Sequence, residues 1–219
     1  RLMMKAVLFD LDGTLIDSAP QLVGALNQLR KQYDLPPIPF LVGRPFASHG
    51  AAGLLKAGFN MDKNDPLFDA RVQEFLDIYK EVFNQNMQCM EGIEELINTL
   101  NLRKIPWGIV TNKARKFAQP IVSSHPLLKH TSCLIAGDDV KLPKPSPEGL
   151  MKASQLLSIK PSDIIYLGDD KRDVMAANDA SMVSMAARYG YLEAGDDAKS
   201  WGAQHIIDKP SDLLTYLSL

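Results

Sequence analysis

The chain has 219 residues and a formal net charge of −2, a balance that argues against nucleic acid as a partner. Hydrophobic residues make up 46% of the sequence, which is enough for a folded core and excludes a disordered chain. No apolar stretch is long enough to span a bilayer and no signal-peptide pattern opens the chain, so we expect a cytoplasmic protein without a membrane partner.

The first predicted element is a strand over Ala6–Phe9, a run of four apolar residues typical of a strand buried on both faces. The segment Asp10–Thr14, with the sequence D-L-D-G-T, follows it directly. Residues i and i+2 of a strand point the same way, so Asp10 and Asp12 are expected to place two carboxylates on one side. Two like charges this close raise one another's pKa unless a cation or a proton intervenes, which indicates a role in chemistry.

The region 17–87 is predicted to hold three helical segments, which form a small bundle inserted after the first strand. The first segment starts near Ser18 and ends before the proline-rich stretch 36–39. The second covers 46–57, and the third begins at Asp65 and carries aromatic residues at helical spacing. We interpret this aromatic stripe as packing within the bundle.

From residue 91 onward, predicted helices and strands alternate, which is typical of a parallel, doubly wound α/β sheet. The predicted strands are Trp107–Val110, Cys133–Ala136, Ile164–Leu167, Met182–Ala186 and His205–Ile207. The predicted helices cover 91–100, 116–123, 148–157 and 174–180, and a last helix begins at Ser211. The sequence therefore predicts an α/β fold with a helical insertion.

Open parallel sheets bind ligands beyond the carboxyl ends of their strands, so the residues there form the candidate site. Besides the two aspartates after the first strand, the polar residues at these ends are Thr111, Asn112, Lys144, Asp169, Asp170 and Asp173. Each has an ordinary structural explanation, such as a helix cap or a solvated lysine. Their convergence on one edge of the sheet favours a single functional site.

In this order, these residues make the chain resemble the haloacid dehalogenase superfamily of phosphotransferases. The matching segments are Asp10–Thr14, Thr111-Asn112, Lys144-Pro145 and Gly168–Asp170 with Asp173. In this superfamily, phosphatases and phosphomutases have the second aspartate of the first motif, Asp12 here, whereas the dehalogenases lack it. The resemblance implies a Rossmann-like catalytic core over 1–16 and 88–219, with an inserted helical cap domain over 17–87.

The resemblance also implies a phosphatase that acts on a small phosphorylated metabolite. Asp10 would attack phosphorus and form an aspartyl-phosphate intermediate. Asp12 would protonate the leaving alcohol and then take a proton from the attacking water. Thr111, Asn112 and Lys144 would bind the phosphoryl oxygens.

The implied cofactor is a divalent cation, Mg²⁺, which prefers oxygen ligands. Asp10, Asp169 and the backbone carbonyl of Asp12 would be its ligands. Asp170 and Asp173 would bind it through water or orient the lysine of the site.

The helical insertion contains the candidates for substrate specificity. Arg44, Ser48 and His49 lie in a stretch rich in glycine and proline that leads into the second helical segment. Arg44 could pair with a substrate carboxylate through two hydrogen bonds, or it could be an exposed arginine in a loop.

Several functions stay open at this point. The chain looks most like phosphoglycolate phosphatases, and Trp107–Lys113, Arg188–Tyr191 and Trp201–Ala203 also resemble N-acetylmuramic acid 6-phosphate phosphatases of cell-wall recycling. These segments belong mostly to the core and support kinship better than substrate. The same motifs also fit a sugar phosphomutase, and the fold class also fits a non-enzymatic phospho-receiver or binding module. The sequence leaves open whether the protein is a monomer or a dimer.

Overall fold

A parallel sheet of six strands forms the centre of the computed structural model, which describes residues 3–217. The strands in chain order are β1 (Ala6–Phe9), β2 (Ile16–Asp17), β3 (Gln88–Cys89), β4 (Trp107–Val110), β5 (Leu134–Ile135), β6 (Ile164–Gly168), β7 (Val183–Ala187) and β8 (His205–Ile207). Their spatial order in the large sheet is β5-β4-β1-β6-β7-β8, and every neighbouring pair is parallel. Strands β2 and β3 pair antiparallel as a separate ribbon.

Helices lie between the strands and in the insertion. In chain order they are α1 (Ala19–Gln32), α2 (Phe40–Gly43), α3 (Gly50–Phe59), α4 (Phe68–Val82), α5 (Ile93–Leu102), α6 (Arg115–Ser124), α7 (Glu148–Leu157) and α8 (Lys171–Asp179). Within the described residues 3–217, every helix falls short of the length or the apolar character that a membrane span requires.

Alternate residues of β1 face two different apolar layers. Val7 and Phe9 belong to a cluster with α5 and α6, whereas Ala6 and Leu8 belong to a cluster with α7 and α8. Because both faces of the strand are covered, all four positions are apolar, as an interior strand of a parallel sheet requires. The predicted α/β fold with a parallel sheet and a helical insertion is therefore confirmed.

The insertion leaves and re-enters the core at the β2–β3 ribbon. Ile16 pairs with Cys89 and Asp17 pairs with Gln88. This ribbon coincides with the predicted limits of the cap domain at 17–87, and the division into two domains stays a prediction.

Two predicted helices differ in the structure. The segment predicted as one helix over 46–57 is a 3-10 turn, Arg44–His49, followed by α3, whose first residue, Gly50, has a positive φ of 58°. Glycine adopts this conformation without steric cost, so the chain can turn there. The helix predicted from Ser211 is a 3-10 helix over Pro210–Tyr216.

Candidate active site

Three buried carboxylates meet at the carboxyl ends of β1 and β6. Asp10, Asp169 and Asp173 each offer an oxygen, and these oxygens all lie within 4.8 Å of one another. Asp10 follows β1, and its backbone N–H donates to the carbonyl of Leu167 in β6 at 2.9 Å. The edge of the sheet thus brings together acidic residues that are far apart in the sequence.

The start of α8 orients Asp170 and Asp173, two of the acidic residues predicted for the site. Asp170 caps the helix by accepting a hydrogen bond from the backbone N–H of Arg172 at 3.1 Å. The carboxylate of Asp173 accepts from the backbone N–H of Asp170 at 3.1 Å, which completes a capping box. This local geometry turns Asp173 inward, where its other oxygen is free to contact a cation.

The ammonium group of Lys144, which lies in the loop before α7, is the cation that Asp173 contacts. Its Nζ lies 2.9 Å from Asp10 Oδ1 and 2.7 Å from Asp173 Oδ1. The Tyr166 hydroxyl oxygen at 2.7 Å and the Val110 carbonyl at 3.0 Å complete its surroundings. Burial disfavours the charged ammonium, but the two carboxylates outweigh burial, so the pKa of Lys144 is raised.

The side-chain amide of Asn112 holds Lys144 in place through its backbone. Asn112 Oδ1 accepts from the Lys144 N–H, and Asn112 Nδ2 donates to the Lys144 carbonyl, both at 2.9 Å. The resemblance implies that Asn112 binds phosphate. The residue lines the cavity, and its side-chain amide contacts this loop. Thr111 is buried at the end of β4 and lines the cavity beside Asp10.

The three carboxylates carry more negative charge than one lysine can balance. Burial and the charge of Asp173 raise the pKa of Asp10 to about 6, although Lys144 opposes the rise. Burial, followed by the charges of Asp10 and Asp173, raises the pKa of Asp169 well above its ordinary value. Buried carboxylate oxygens with an excess of negative charge fit a hard divalent cation. Asp10 and Asp169 are therefore suited to hold one.

Asp12 lies apart from this carboxylate cluster. Its Oδ1 accepts hydrogen bonds from Ser18 Oγ at 2.5 Å and from Lys113 Nζ at 2.9 Å. The strand ends at Phe9, so the two-residue period that predicts Asp12 beside Asp10 does not extend to position 12. Both aspartates nevertheless line the same cavity.

Gly13 makes the turn after Asp12 possible. Its φ is +78°, and a Cβ at this position would collide with the side chains of Asp169 and Tyr191. The glycine of the first motif is therefore required both by the backbone conformation and by close packing on a site carboxylate.

The turn Arg44–His49 connects the insertion to Asp169 and Asp170, which form the acidic loop after β6. Ser48 Oγ donates to Asp169 Oδ2 at 2.6 Å, and His49 Nε2 lies 2.8 Å from Asp170 Oδ1. Both residues line the cavity. Arg44 is not among the lining residues, and its guanidinium lies 4.9 Å from the centre of the Tyr191 ring. Of the three predicted specificity residues, two therefore face the cavity.

The cavity has a volume of about 550 Å³ and runs between the core and the insertion. Its polar floor includes Asp10, Asp12, Thr111 and Lys113. Its apolar wall includes Leu22, Phe75, Leu76, Tyr79 and Phe117. A phosphoryl group on the floor would place the remainder of its ester against this wall.

Four residues that were not predicted from the sequence also contact the site. Lys113 bonds Asp12, Tyr166 bonds Lys144, Arg172 contacts the Ser48 carbonyl, and the Tyr191 N–H donates to Asp169 at 2.9 Å. Lys113 and Arg172 adjoin the recognised motifs, and this proximity was the available signal. Tyr191 lies in the segment Arg188–Tyr191, which the resemblance included without giving it a role. Tyr166 gave no signal, because a buried tyrosine is common in any core.

Comparison with known proteins gives consistent matches over most of the chain. A family model described as haloacid dehalogenase-like hydrolase matches residues 7–187. The chain is 37% identical to N-acetylmuramic acid 6-phosphate phosphatase of Pseudomonas aeruginosa, covering 99% of this chain and 96% of that protein. It is 36% identical to phosphoglycolate phosphatase of Xanthomonas campestris pv. campestris, covering 95% and 94%.

A crystal structure from Haemophilus somnus 129pt, described as a "predicted phosphoglycolate phosphatase", superposes with a TM-score of 0.82. The two chains are 24% identical, and the match covers 97% of each. At this identity the similarity supports the fold.

Proposed function

Because the chain belongs to the haloacid dehalogenase-like hydrolase family, we propose that it hydrolyses a phosphomonoester through a phosphoryl group carried on Asp10. Phosphatase relatives that are 36 and 37% identical over nearly the full chain identify it as a phosphoric monoester hydrolase. The observation that carries the proposed mechanism is the buried Asp10–Lys144 pair, of which Asp10 lines the cavity.

In the first proposed step, an oxygen of Asp10 forms a bond to phosphorus while the bond from phosphorus to the ester oxygen breaks. The electron pair of that bond goes to the ester oxygen, which takes a proton from Asp12 and leaves as an alcohol. In the second step, the oxygen of water bonds to phosphorus while Asp12 takes a water proton. The bond from phosphorus to Asp10 breaks, its electron pair returns to the Asp10 carboxylate, and phosphate leaves. The position of both aspartates on one cavity supports these roles.

Lys144 and Thr111 are proposed to bind the transferring phosphoryl group. The ammonium of Lys144 touches Asp10 and Asp173, so it keeps the nucleophile ionised and offers positive charge beside the reacting atoms. Thr111 lies at the end of β4 on the same cavity. Asn112 is proposed to act indirectly, through the backbone of Lys144.

The proposed cation is Mg²⁺, with Asp10, Asp169 and the Asp12 backbone carbonyl as ligands. When bound, it would neutralise the carboxylates and polarise the phosphoryl oxygens. Asp170 is proposed to contact it through water, and Asp173 is proposed to act mainly by orienting Lys144. The excess of buried negative charge around Asp169 supports the presence of a cation.

Two substrates are candidates, 2-phosphoglycolate and N-acetylmuramic acid 6-phosphate. Resemblance to phosphoglycolate phosphatases supports the first. The cavity supports the second, because about 550 Å³ falls in the range of about 300–1,000 Å³ that holds drug-sized ligands. Its wall of Phe75, Tyr79 and Phe117 also suits an acylated sugar better than a two-carbon acid.

Phosphate release from a panel that contains both esters tests this proposal. We expect a higher kcat/KM for N-acetylmuramic acid 6-phosphate than for 2-phosphoglycolate. The reverse order would restore the phosphoglycolate assignment. An isomeric sugar phosphate in place of free phosphate would identify a phosphomutase, and no turnover of any ester would favour a binding or receiver role.

A further inference from the structure

Lys113 joins the helical insertion to the turn that carries Asp12. Its Nζ donates to Asp12 Oδ1 at 2.9 Å and to the hydroxyl oxygen of Tyr79 at 2.6 Å. Tyr79 belongs to α4 of the insertion, whereas Asp12 and Lys113 lie in core loops after β1 and β4. The side chain of Lys113 is 8% exposed, so water competes little for these contacts.

The Tyr79 hydroxyl is held by the packing of its ring. The ring stacks on Phe75 with centroids 5.8 Å apart and lies 5.0 Å from the ring of Phe117. Tyr79 itself is only 2% exposed. A ring enclosed in this way has little freedom, so its hydroxyl defines where the Lys113 ammonium sits.

The contacts of Asp12 leave one carboxyl oxygen available. Oδ1 takes both hydrogen bonds, from Ser18 and from Lys113. Within residues 3–217, Oδ2 has no side-chain hydrogen-bond donor of its own. Two donors on one oxygen restrict the rotation of the carboxyl group, so the other oxygen keeps a defined position in the cavity.

We propose that Lys113 positions Asp12 for proton transfer to the leaving oxygen, and that Tyr79 of α4 positions Lys113. This inference rests on the proposed function. As Asp10 bonds to phosphorus, the ester bond breaks and its electron pair goes to the ester oxygen, which takes the Asp12 proton. Asp12 gains a negative charge in this step, and an ammonium 2.9 Å away stabilises that charge as it forms. The geometry thus couples the placement of the insertion to the chemical step.

The dependence of rate on the leaving group separates this role from a structural one. p-Nitrophenyl phosphate releases a stable phenolate that needs little proton donation, whereas 2-phosphoglycolate and N-acetylmuramic acid 6-phosphate release alkoxides that need it. The ratio kcat/KM covers the steps up to release of the alcohol, so it reports the transfer to Asp10. The alkyl ester used is whichever of the two the wild-type protein turns over faster.

For Lys113→Met we expect kcat/KM on the alkyl ester to fall by about 10- to 100-fold, a part of the usual effect of general acid catalysis. On p-nitrophenyl phosphate we expect a loss of less than about threefold, because that leaving group departs with little need for proton donation. Tyr79→Phe keeps the packed ring and removes only the hydroxyl. We expect it to show the same selective loss in kcat/KM at a smaller size.

Lys129→Met is the matched control, because Lys129 is an exposed lysine outside the lining of the cavity. We expect it to keep both rates. Equal losses on the two esters in Lys113→Met and Tyr79→Phe, or no loss in either variant, would overturn the positioning role. If Lys113→Met does not fold, Tyr79→Phe alone decides between these outcomes. A wild-type protein that hydrolyses neither kind of ester would instead overturn the proposed function.

Discussion

The Nζ of Lys144 lies 2.9 Å from Oδ1 of Asp10, and the two side chains are 3% and 6% exposed. Burial of a charged pair is costly unless each charge has its partner. Here Lys144 also contacts Asp173, so the pKa of Asp10 is still raised to about 6 by burial and by that second carboxylate. Asp10 is therefore mostly ionised at neutral pH, as its proposed role as nucleophile requires.

Replacing Asp10 tests its role in the reaction. We expect Asp10→Asn to lower phosphate release by at least about 10⁴-fold, because an amide oxygen is a poor nucleophile. Circular dichroism is expected to be unchanged, since the substitution keeps the shape of the side chain. Asp179→Asn, an exposed aspartate at the end of α8, is the control and should retain activity. Activity near the wild-type level in Asp10→Asn would contradict the assignment.

The raised pKa of Asp10 makes stability depend on pH in the metal-free protein. Between its ordinary value of 3.8 and about 6, the folded state binds more protons than the unfolded state. As pH rises through this range in excess chelator, the contribution of Asp10 to the free energy of unfolding is therefore expected to fall by about 3 kcal/mol. Asp10→Asn removes the titrating group and should flatten that part of the curve. Denaturant unfolding at several pH values measures both, and equal curves for the two proteins would refute this expectation.

A divalent cation should reverse this destabilisation. We expect chelator to abolish phosphate release and Mg²⁺ to restore it, because the charges of Asp10 and Asp169 then have a partner. A ligand that binds only the folded state also raises the melting temperature with its concentration. Asp169→Asn should weaken both responses. Full activity in excess chelator would exclude a metal-dependent mechanism.

The apolar wall of the cavity can be used to test substrate size. Leu76 is half-buried on α4 and lines the cavity, so Leu76→Trp would fill part of the space for the leaving group. We expect kcat/KM for N-acetylmuramic acid 6-phosphate to fall at least about tenfold more than that for 2-phosphoglycolate. Leu102→Trp, at a position 84% exposed and outside this cavity, is the control and should change neither. Equal losses on both esters would show that the apolar wall does not select between the two substrates.

The sequence predicted the sheet and the location of the site because both depend on local patterns. Short apolar runs mark β1, β4 and β6, and the polar residues that follow them lie at one edge. The motif of Asp170 and Asp173 is also local, because it forms a capping box at the start of α8.

The side-chain partners could not be predicted in the same way. The contact of Lys113 with Tyr79 depends on how α4 docks on the core, and no pattern within either segment encodes that distance. The aromatic stripe of α4 predicts that Tyr79 packs in the core, and the stacking of its ring on Phe75 confirms this. The contact of the Tyr79 hydroxyl with Lys113 is an additional polar role that the stripe does not indicate. Arg44 stacks on Tyr191 instead of lining the cavity, because the turn Arg44–His49 aims Ser48 and His49 at the acidic loop.

Trapping the phosphorylated protein tests the central claim most directly. Asp12→Asn should slow the attack of water, so a brief reaction with p-nitrophenyl phosphate followed by acid quench should leave one phosphoryl group on the chain. Peptide mass spectrometry is expected to find it on Asp10, and the double variant with Asp10→Asn should carry none. A phosphoryl group on another residue, or steady release of phosphate with an unmodified Asp10, would contradict the account.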